Sequence, residues 1–91
     1  METVLQSRKE CFICGTTENL EDHHVFYGHK NRNVSERYGM KVWLCNRHHT
    51  GTEGIHKLTA RDLELKKFAQ MKFEKLYPDK DFGEEFGRNY L

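Results

Sequence analysis

Two short metal-ligand motifs constrain this chain more than any other feature. Cys11 and Cys14 form a C-x-x-C motif, and Cys45 and His48 repeat the same spacing as C-x-x-H. Two intervening residues let both side chains of such a motif face one ion. Three cysteines cannot all pair within one chain, and reduced thiols at this spacing favour metal binding over cross-linking. We therefore predict a closed, tetrahedral Cys3His site with Zn²⁺ as a structural cofactor.

The fourth ligand of that site must be a histidine, because the sequence contains no fourth cysteine. His48 is the first choice from its spacing, and His49 and His56 are the alternatives. A structural zinc site contributes folding free energy directly. That contribution matters in a chain of 91 residues, which buries only a limited fraction of its surface. The size predicts a single domain.

The charged residues are nearly balanced, with 15 Lys and Arg against 14 Asp and Glu. The net charge of +1 therefore gives no general argument for a polyanionic partner. No apolar stretch approaches the length of a membrane span, and the first residues lack the apolar region of a signal peptide. We expect no membrane partner and a cytoplasmic location.

Two segments rich in β-favouring residues, 20–27 and 40–44, predict a pair of strands that associate antiparallel. The residues between them, 29–41, are mostly polar and predict a long connection. Within it, 35–38 could form one helical turn closed by Gly39. The strands and the two ligand motifs together predict a small zinc-stapled β-hairpin.

The clearest helical periodicity lies between Thr59 and Tyr77, and Pro78 is expected to end that helix. Thr59 resembles an N-cap, with Asp62 as its capping-box partner. Aromatic residues in the tail are expected to fold back over the core. The fold class is therefore α+β. Its expected segments are an N-terminal extension (1–10), a zinc-stapled core (11–58), a long C-terminal helix (59–77) and a tail (78–91).

A second group of histidines suggests chemistry beyond a structural metal. Hydrolysis of a phosphodiester needs a cation on the phosphate and a base that activates water. Histidine is the natural base near neutral pH, and its neutral ring also binds transition metals. The candidate residues are Asp22, His23, His24, His49 and His56.

Two assignments of these residues remain open from the sequence. In the first, His23 and His49 hold a metal ion, with or without His56, and the adjacent His24 is the base. In the second, Asp22 holds the ion and His23 is the base. Asp22 and His24 share one face of a regular strand, and His23 points to the other. Strand periodicity alone therefore does not choose between them.

A cluster of basic residues lies near these histidines and would position DNA phosphates without recognising sequence. The predicted DNA-binding residues are Lys30, Arg32, Arg37, Lys41 and Arg47.

Three motifs together resemble the HNH nuclease superfamily, whose core is a ββα-metal fold. They are Cys11-x-x-Cys14, Asp22-His23-His24-Val25 and Leu44-Cys45-x-x-His48-His49. A closer resemblance is to small phage and prophage HNH proteins, which share a C-terminal Phe-Gly-Arg-Asn-Tyr-Leu, here Phe86 to Leu91. The chain also resembles the nuclease domain of phage recombination-enhancement, RecA-dependent nucleases. The similarity covers nearly all of the chain after residue 10.

The resemblance implies a role for each matched histidine. His23 matches the metal ligand of the first strand, His24 the general base and His49 the metal ligand of the helix. His48 takes the place of the last zinc cysteine of relatives with four cysteines. His56 matches a second downstream metal ligand found in some members.

The resemblance also implies a function: a metal-dependent DNA endonuclease or nickase, with Mg²⁺, Mn²⁺, Ni²⁺ or Zn²⁺ as the catalytic metal. The implied partners are DNA and a RecA-type recombinase filament. The alternative is a zinc-stabilised DNA-binding or adaptor module without cleavage of its own. One position departs from the family pattern, since Met40 stands where members often carry the asparagine to which the resemblance assigns the orientation of the base. Asn31 and Asn33 are the candidates to replace it.

Overall fold

The structure is a computed structural model that describes residues 2–91. Its elements, in chain order, are β1 (Leu20–His24), α1 (His29–Tyr38), β2 (Lys41–Cys45), α2 (Asn46–His49), α3 (Thr59–Leu76) and α4 (Phe82–Phe86). A two-stranded sheet carries helices around it, so the predicted α+β class is confirmed. None of the helices within residues 2–91 combines the length and the apolar character needed to cross a bilayer.

The two strands pair antiparallel, as predicted, with Leu20 opposite Cys45 and His24 opposite Lys41. β1 is shorter than the predicted 20–27 because the chain leaves the sheet after His24. Val25 and Phe26 then enter the core, where they are fully buried. The Ser35 hydroxyl donates to the Phe26 carbonyl at 2.7 Å and fixes this departure from the sheet.

The predicted polar connection between the strands is wrong in its structure, because ten of its residues form helix α1. Only Val34 and Ser35 of this helix are buried, so its apolar face is too narrow to give a visible periodicity. The predicted stop at Gly39 is correct. Gly39 adopts φ 71°, and the Met40 N–H donates to the Ser35 carbonyl at 2.8 Å.

The N-terminal extension is neither a helix nor a frayed end over residues 2–10. It runs beside β2, where the Thr3 hydroxyl donates to the Lys41 carbonyl and the Trp43 N–H donates to Gln6 Oε1 at 2.6 Å. The Val4 N–H donates to the Gly39 carbonyl at 3.0 Å, and Leu5 joins the core. This segment therefore covers the outer edge of β2.

The long C-terminal helix exists, but its predicted capping box is wrong. Leu58 is the N-cap of α3, Thr59 is the first helical residue, and the cap has no side-chain hydrogen bond. The carboxylate of Asp62 instead accepts hydrogen bonds from Tyr27 and Lys66. A tertiary hydrogen bond from Tyr27 and an ion pair with Lys66 one helical turn later therefore replace the predicted cap.

The aromatic tail folds back over the core, as the sequence predicts. Phe82 and Phe86, in the short helix α4, are buried. Both rings contact Phe26, with centroids 5.0 and 4.6 Å away, and both contact Phe73 of α3. These contacts join the C-terminal elements to the segment that follows β1, directly beside the histidines.

Candidate metal centres

Cys11, Cys14, Cys45 and His48 form one group that could hold a metal ion such as zinc. Cys14 Sγ lies 3.8 Å from Cys45 Sγ, and His48 Nδ1 lies 3.2 Å from Cys45 Sγ and 3.7 Å from Cys11 Sγ. Two sulfurs each about 2.3 Å from one tetrahedral zinc would be about 3.8 Å apart. The ligand set matches the prediction, including the choice of His48.

Local backbone geometry positions these ligands. The Cys11 N–H donates to the Thr16 carbonyl at 2.8 Å and the Gly15 N–H donates to the Cys11 carbonyl at 2.9 Å, which closes the first turn. The Phe12 N–H donates to the Trp43 carbonyl at 2.8 Å and holds this turn against β2. Cys45 ends β2, and α2 starts at the next residue. The two motifs thereby meet at one end of the sheet.

The electrostatics favour a thiolate at the most buried cysteine. Burial acts to raise the pKa of Cys11, but hydrogen bonds from the backbone N–H groups of Cys14 and Cys45 outweigh it and lower the pKa to about 6. Burial raises the pKa of Cys45, and the neighbouring Cys11 adds to that increase. One charged thiolate is therefore available before a cation compensates the others.

A second group joins His23, His49 and His56, whose ligand atoms lie within 4.8 Å of one another. The Nε2 atoms of His49 and His56 are 3.3 Å apart. Two nitrogens each about 2.0–2.1 Å from a tetrahedral metal ion would have a similar separation. Asp22 is outside this group.

His23 is the buried member of the three-histidine group, with 2% of its surface exposed. Its Nε2 atom is buried and has no hydrogen-bond partner among residues 2–91. Burial, together with the repulsion from neighbouring His49 and His56, lowers the pKa of His23 to about 3. The ring is thus neutral, which is the form of histidine that binds metal ions. Its buried Nε2 has no hydrogen-bond partner in the described chain and is therefore available as a ligand.

Glu21 orients the second member of the group. Its Oε1 lies 2.6 Å from His49 Nδ1, which leaves His49 Nε2 to face His56. Hydrogen bonds from His49 and Asn46 lower the pKa of Glu21 and keep it charged. A carboxylate on the distal nitrogen is the usual partner of a metal-binding histidine. The predicted site did not include Glu21, although strand alternation places it on the same face as His23.

In the loop after α2, Gly54 packs closely against the backbone of His49, and this contact brings His56 back beside the sheet. A Cβ atom at Gly54 would lie 2.4 Å from the His49 carbonyl oxygen, so only glycine fits. The Ile55 N–H then donates to the His48 carbonyl at 2.8 Å, and Ile55 is buried. The glycines of this segment therefore bring His56 and His49 together.

A polar cluster of Tyr27, Asp62 and Lys66 borders the three-histidine group. The Tyr27 ring lies 5.0 Å from the His56 ring, and its hydroxyl donates to Asp62 at 2.9 Å. Lys66 lies 4.1 Å from the centre of the Tyr27 ring and 2.8 Å from the same carboxylate. The cluster connects α3 to the histidines, and the helix was not predicted to reach this site.

His24 lies in a third group, with Asp22 and Glu36. Its Nε2 is 2.9 Å from Glu36 Oε1. Lys41 Nζ donates to both oxygens of Glu36, at 3.1 and 3.0 Å, and lies 3.4 Å from Asp22. Burial opposes the charge of Lys41, but Glu36 and Asp22 outweigh it and raise the lysine pKa. His23 and His24 thus belong to different groups, in line with strand alternation.

The predicted DNA-binding residues divide into two sets. Lys30, Arg32 and Arg37 are exposed along α1. Lys41 is half-buried in ion pairs, and Arg47 is exposed but paired with Glu53. Helix α1 therefore carries three of the five predicted basic residues at exposed positions.

Glu36 could not be assigned a place beside His24 from the sequence, because it lies on a helix with no clear periodicity, and the place of Lys41 depends on the register of the two strands. Comparisons of the chain with protein-family models, with curated proteins and with solved structures found no match.

Proposed function

We propose that this protein is a metal-dependent DNA endonuclease or nickase of the HNH type. The observation that carries the proposal is the three-histidine group of His23, His49 and His56, with His24 next in the chain and held by a carboxylate. The three histidines come from β1, α2 and the loop that follows α2. The neighbouring cysteine site would hold these elements together when it binds a metal ion. This order of elements agrees with a ββα-metal core.

In the proposed reaction, His23, His49 and His56 would hold the catalytic divalent ion, and Cys11, Cys14, Cys45 and His48 would hold a structural zinc. When bound, the catalytic ion would supply positive charge that offsets the negative charge developing on the phosphate. His24 accepts the proton of the attacking water, a role suited to an imidazole near neutral pH. Glu21 keeps the His49 ring in its binding orientation. The assignment with Asp22 as metal ligand is disfavoured because Asp22 pairs with Lys41.

Helix α1 is the proposed DNA-contacting surface. Lys30, Arg32 and Arg37 lie exposed on it, close in sequence to Glu36, which bonds to His24. Loss of each phosphate contact should reduce the salt dependence of duplex binding by about 0.9 in the log–log slope. Replacing all three residues with glutamine should flatten the slope, whereas Lys80→Gln in the tail should leave it unchanged.

A plasmid nicking assay tests the activity. Zinc-loaded protein is incubated with supercoiled plasmid and Mg²⁺, Mn²⁺, Ni²⁺ or Co²⁺, with and without RecA filaments. We expect nicking that falls at least about 100-fold in His24→Ala. The control His29→Ala changes an exposed histidine of α1 and should retain full activity.

Two results would contradict the proposal. Equal nicking by wild type and His24→Ala would remove His24 as the base. Absence of nicking with every metal, with or without RecA, would instead support a zinc-stabilised DNA-binding module. Duplex binding measured by fluorescence anisotropy then separates that module from a protein with no affinity for DNA.

A further inference from the structure

Glu36 of α1 stands where the site needs a group to orient the base. Its Oε1 lies 2.9 Å from His24 Nε2, and the His24 side chain is 20% exposed. Among residues 2–91, neither Asn31 nor Asn33 forms a hydrogen bond with this ring. Met40, at the position where the HNH pattern often carries asparagine, is fully buried and offers only a thioether sulfur, a weak acceptor without a donor.

A carboxylate on one imidazole nitrogen has a defined chemical effect. It accepts a hydrogen bond from the Nε2–H of His24, which selects the tautomer with an unprotonated Nδ1. It also restricts rotation of the ring and stabilises the imidazolium that forms when Nδ1 takes a proton. These are the properties that a general base requires.

Lys41 holds the carboxylate in position. Its ammonium donates to both oxygens of Glu36, and its side chain is only 13% exposed. Lys41 is also the cross-strand partner of His24, so the sheet fixes the lysine beside the histidine.

The same residues could instead be regarded as a third metal site, since Asp22, His24 and Glu36 lie close together. The chain itself supplies a cation there, because Lys41 contacts both carboxylates. A divalent ion would have to displace this ammonium and would occupy the nitrogen of His24. The contacts therefore favour a hydrogen-bonded base over a further metal centre.

We propose that Glu36, held by Lys41, is the positioning residue of His24 and replaces the asparagine that is absent at Met40. This inference rests on the proposed nuclease function and adds to it the group that orients the base. Glu36 does not contact the substrate in this role and acts only through His24.

Kinetics of Glu36→Gln provide the first test. We expect kcat for plasmid nicking to fall on the order of 100-fold, with KM for the plasmid changed less than threefold. Glu36→Asp keeps the carboxylate and should recover part of kcat. Glu64→Gln changes an exposed glutamate of α3 and serves as the matched control. Unchanged kcat in Glu36→Gln, in a preparation whose wild type nicks DNA, would overturn the inference.

A second test requires no cleavage. Two-dimensional NMR of protein with ¹⁵N-labelled histidine reports which nitrogen of His24 carries the proton. We expect the Nε2–H tautomer in the wild type. Glu36→Leu removes the charged acceptor beside Nε2, so the preference for the Nε2–H tautomer should be lost and the Nδ1–H tautomer should become populated. The same tautomer in both proteins would contradict the positioning role.

The two tests separate the inference from the function on which it rests. A wild type that fails to nick with any metal refutes the nuclease proposal. A wild type that nicks, accompanied by a Glu36→Gln variant with equal kcat or a Glu36→Leu variant with an unchanged tautomer, refutes only the role of Glu36.

Discussion

At the residue scale, two carboxylates bond to two histidines on opposite faces of the sheet. Glu21 bonds to His49 in the three-histidine group, and Glu36 bonds to His24. Each carboxylate occupies one ring nitrogen of its histidine and leaves the other available. The available nitrogen is Nε2 in His49 and Nδ1 in His24. The metal-binding and base roles of neighbouring histidines are thus separated by their hydrogen-bond partners.

Glu21→Gln should weaken metal binding at the three-histidine group by about 10- to 100-fold, because the ligand His49 loses its charged partner. Isothermal titration of Ni²⁺ into protein already loaded with zinc at the cysteine site measures this affinity. Glu18→Gln changes an exposed glutamate nearby and should have no effect. A Ni²⁺ affinity within twofold of wild type would show that Glu21 does not tune the site.

The buried His23 ring predicts a pH dependence of stability in protein without catalytic metal. Its pKa is lowered from 6.5 to about 3 in the folded state. The unfolded chain therefore takes up a proton below pH 6.5 that the folded chain does not accept. The stability from this residue is fully present above pH 6.5 and decreases as the pH falls towards 3, by at most about 1.4 kcal/mol per pH unit.

Chemical unfolding between pH 7.5 and 5.5 tests this dependence. Comparing wild type with His23→Gln cancels the pH dependence of the shared zinc site. We expect the free energy of unfolding to fall more steeply with decreasing pH in the wild type. Parallel curves for the two proteins would contradict a neutral, buried His23.

At the element scale, the segment that links α2 to α3 determines whether the third histidine reaches the site. Gly54→Ala would force a Cβ atom against the His49 carbonyl. We expect a loss of about 1–3 kcal/mol in stability and weaker Ni²⁺ binding at the three-histidine group. Thr52→Ala, an exposed change in the same segment, should alter neither quantity. Normal Ni²⁺ affinity in Gly54→Ala would mean that His56 contributes little to metal binding.

Most of helix α1 was predicted as a polar connection rather than as a helix. Its sequence is polar on nearly every side, and two buried residues are too few for a periodicity. What holds it is tertiary: Ser35 bonds to the backbone of Phe26, Glu36 to His24, and Tyr38 to Glu85 of α4. The periodic sequence of α3, by contrast, predicted the end of that helix to within one residue, since the helix ends at Leu76 and the prediction was Tyr77.

At the scale of the whole molecule, the cysteine site and the three-histidine site are mechanically coupled. His48 and His49 are consecutive residues of α2, and successive helical side chains point about 100° apart. His48 faces the cysteines while His49 faces His23 and His56. A metal ion bound by the cysteine site therefore also fixes the position of His49.

Removal of zinc should unfold the protein, because the staple joins the first turn to the end of β2. Treatment with EDTA under reducing conditions should abolish the helical circular dichroism and the cooperative thermal transition, and zinc should restore both. His49→Ala, which leaves the cysteine site intact, should keep both signals before chelation. A chelated protein that retains the wild-type transition would rule out a structural zinc.

The sequence by itself determined the ligands of the zinc-type site, the antiparallel strands and the long helix, because these follow from short-range spacing and periodicity. It also identified every member of the three-histidine group. Strand alternation placed His23 and His24 on opposite faces of β1, but tertiary structure alone decided which residues join each histidine and that α1 delivers Glu36 to His24. Those outcomes depend on contacts between residues distant in the chain, which local spacing does not encode.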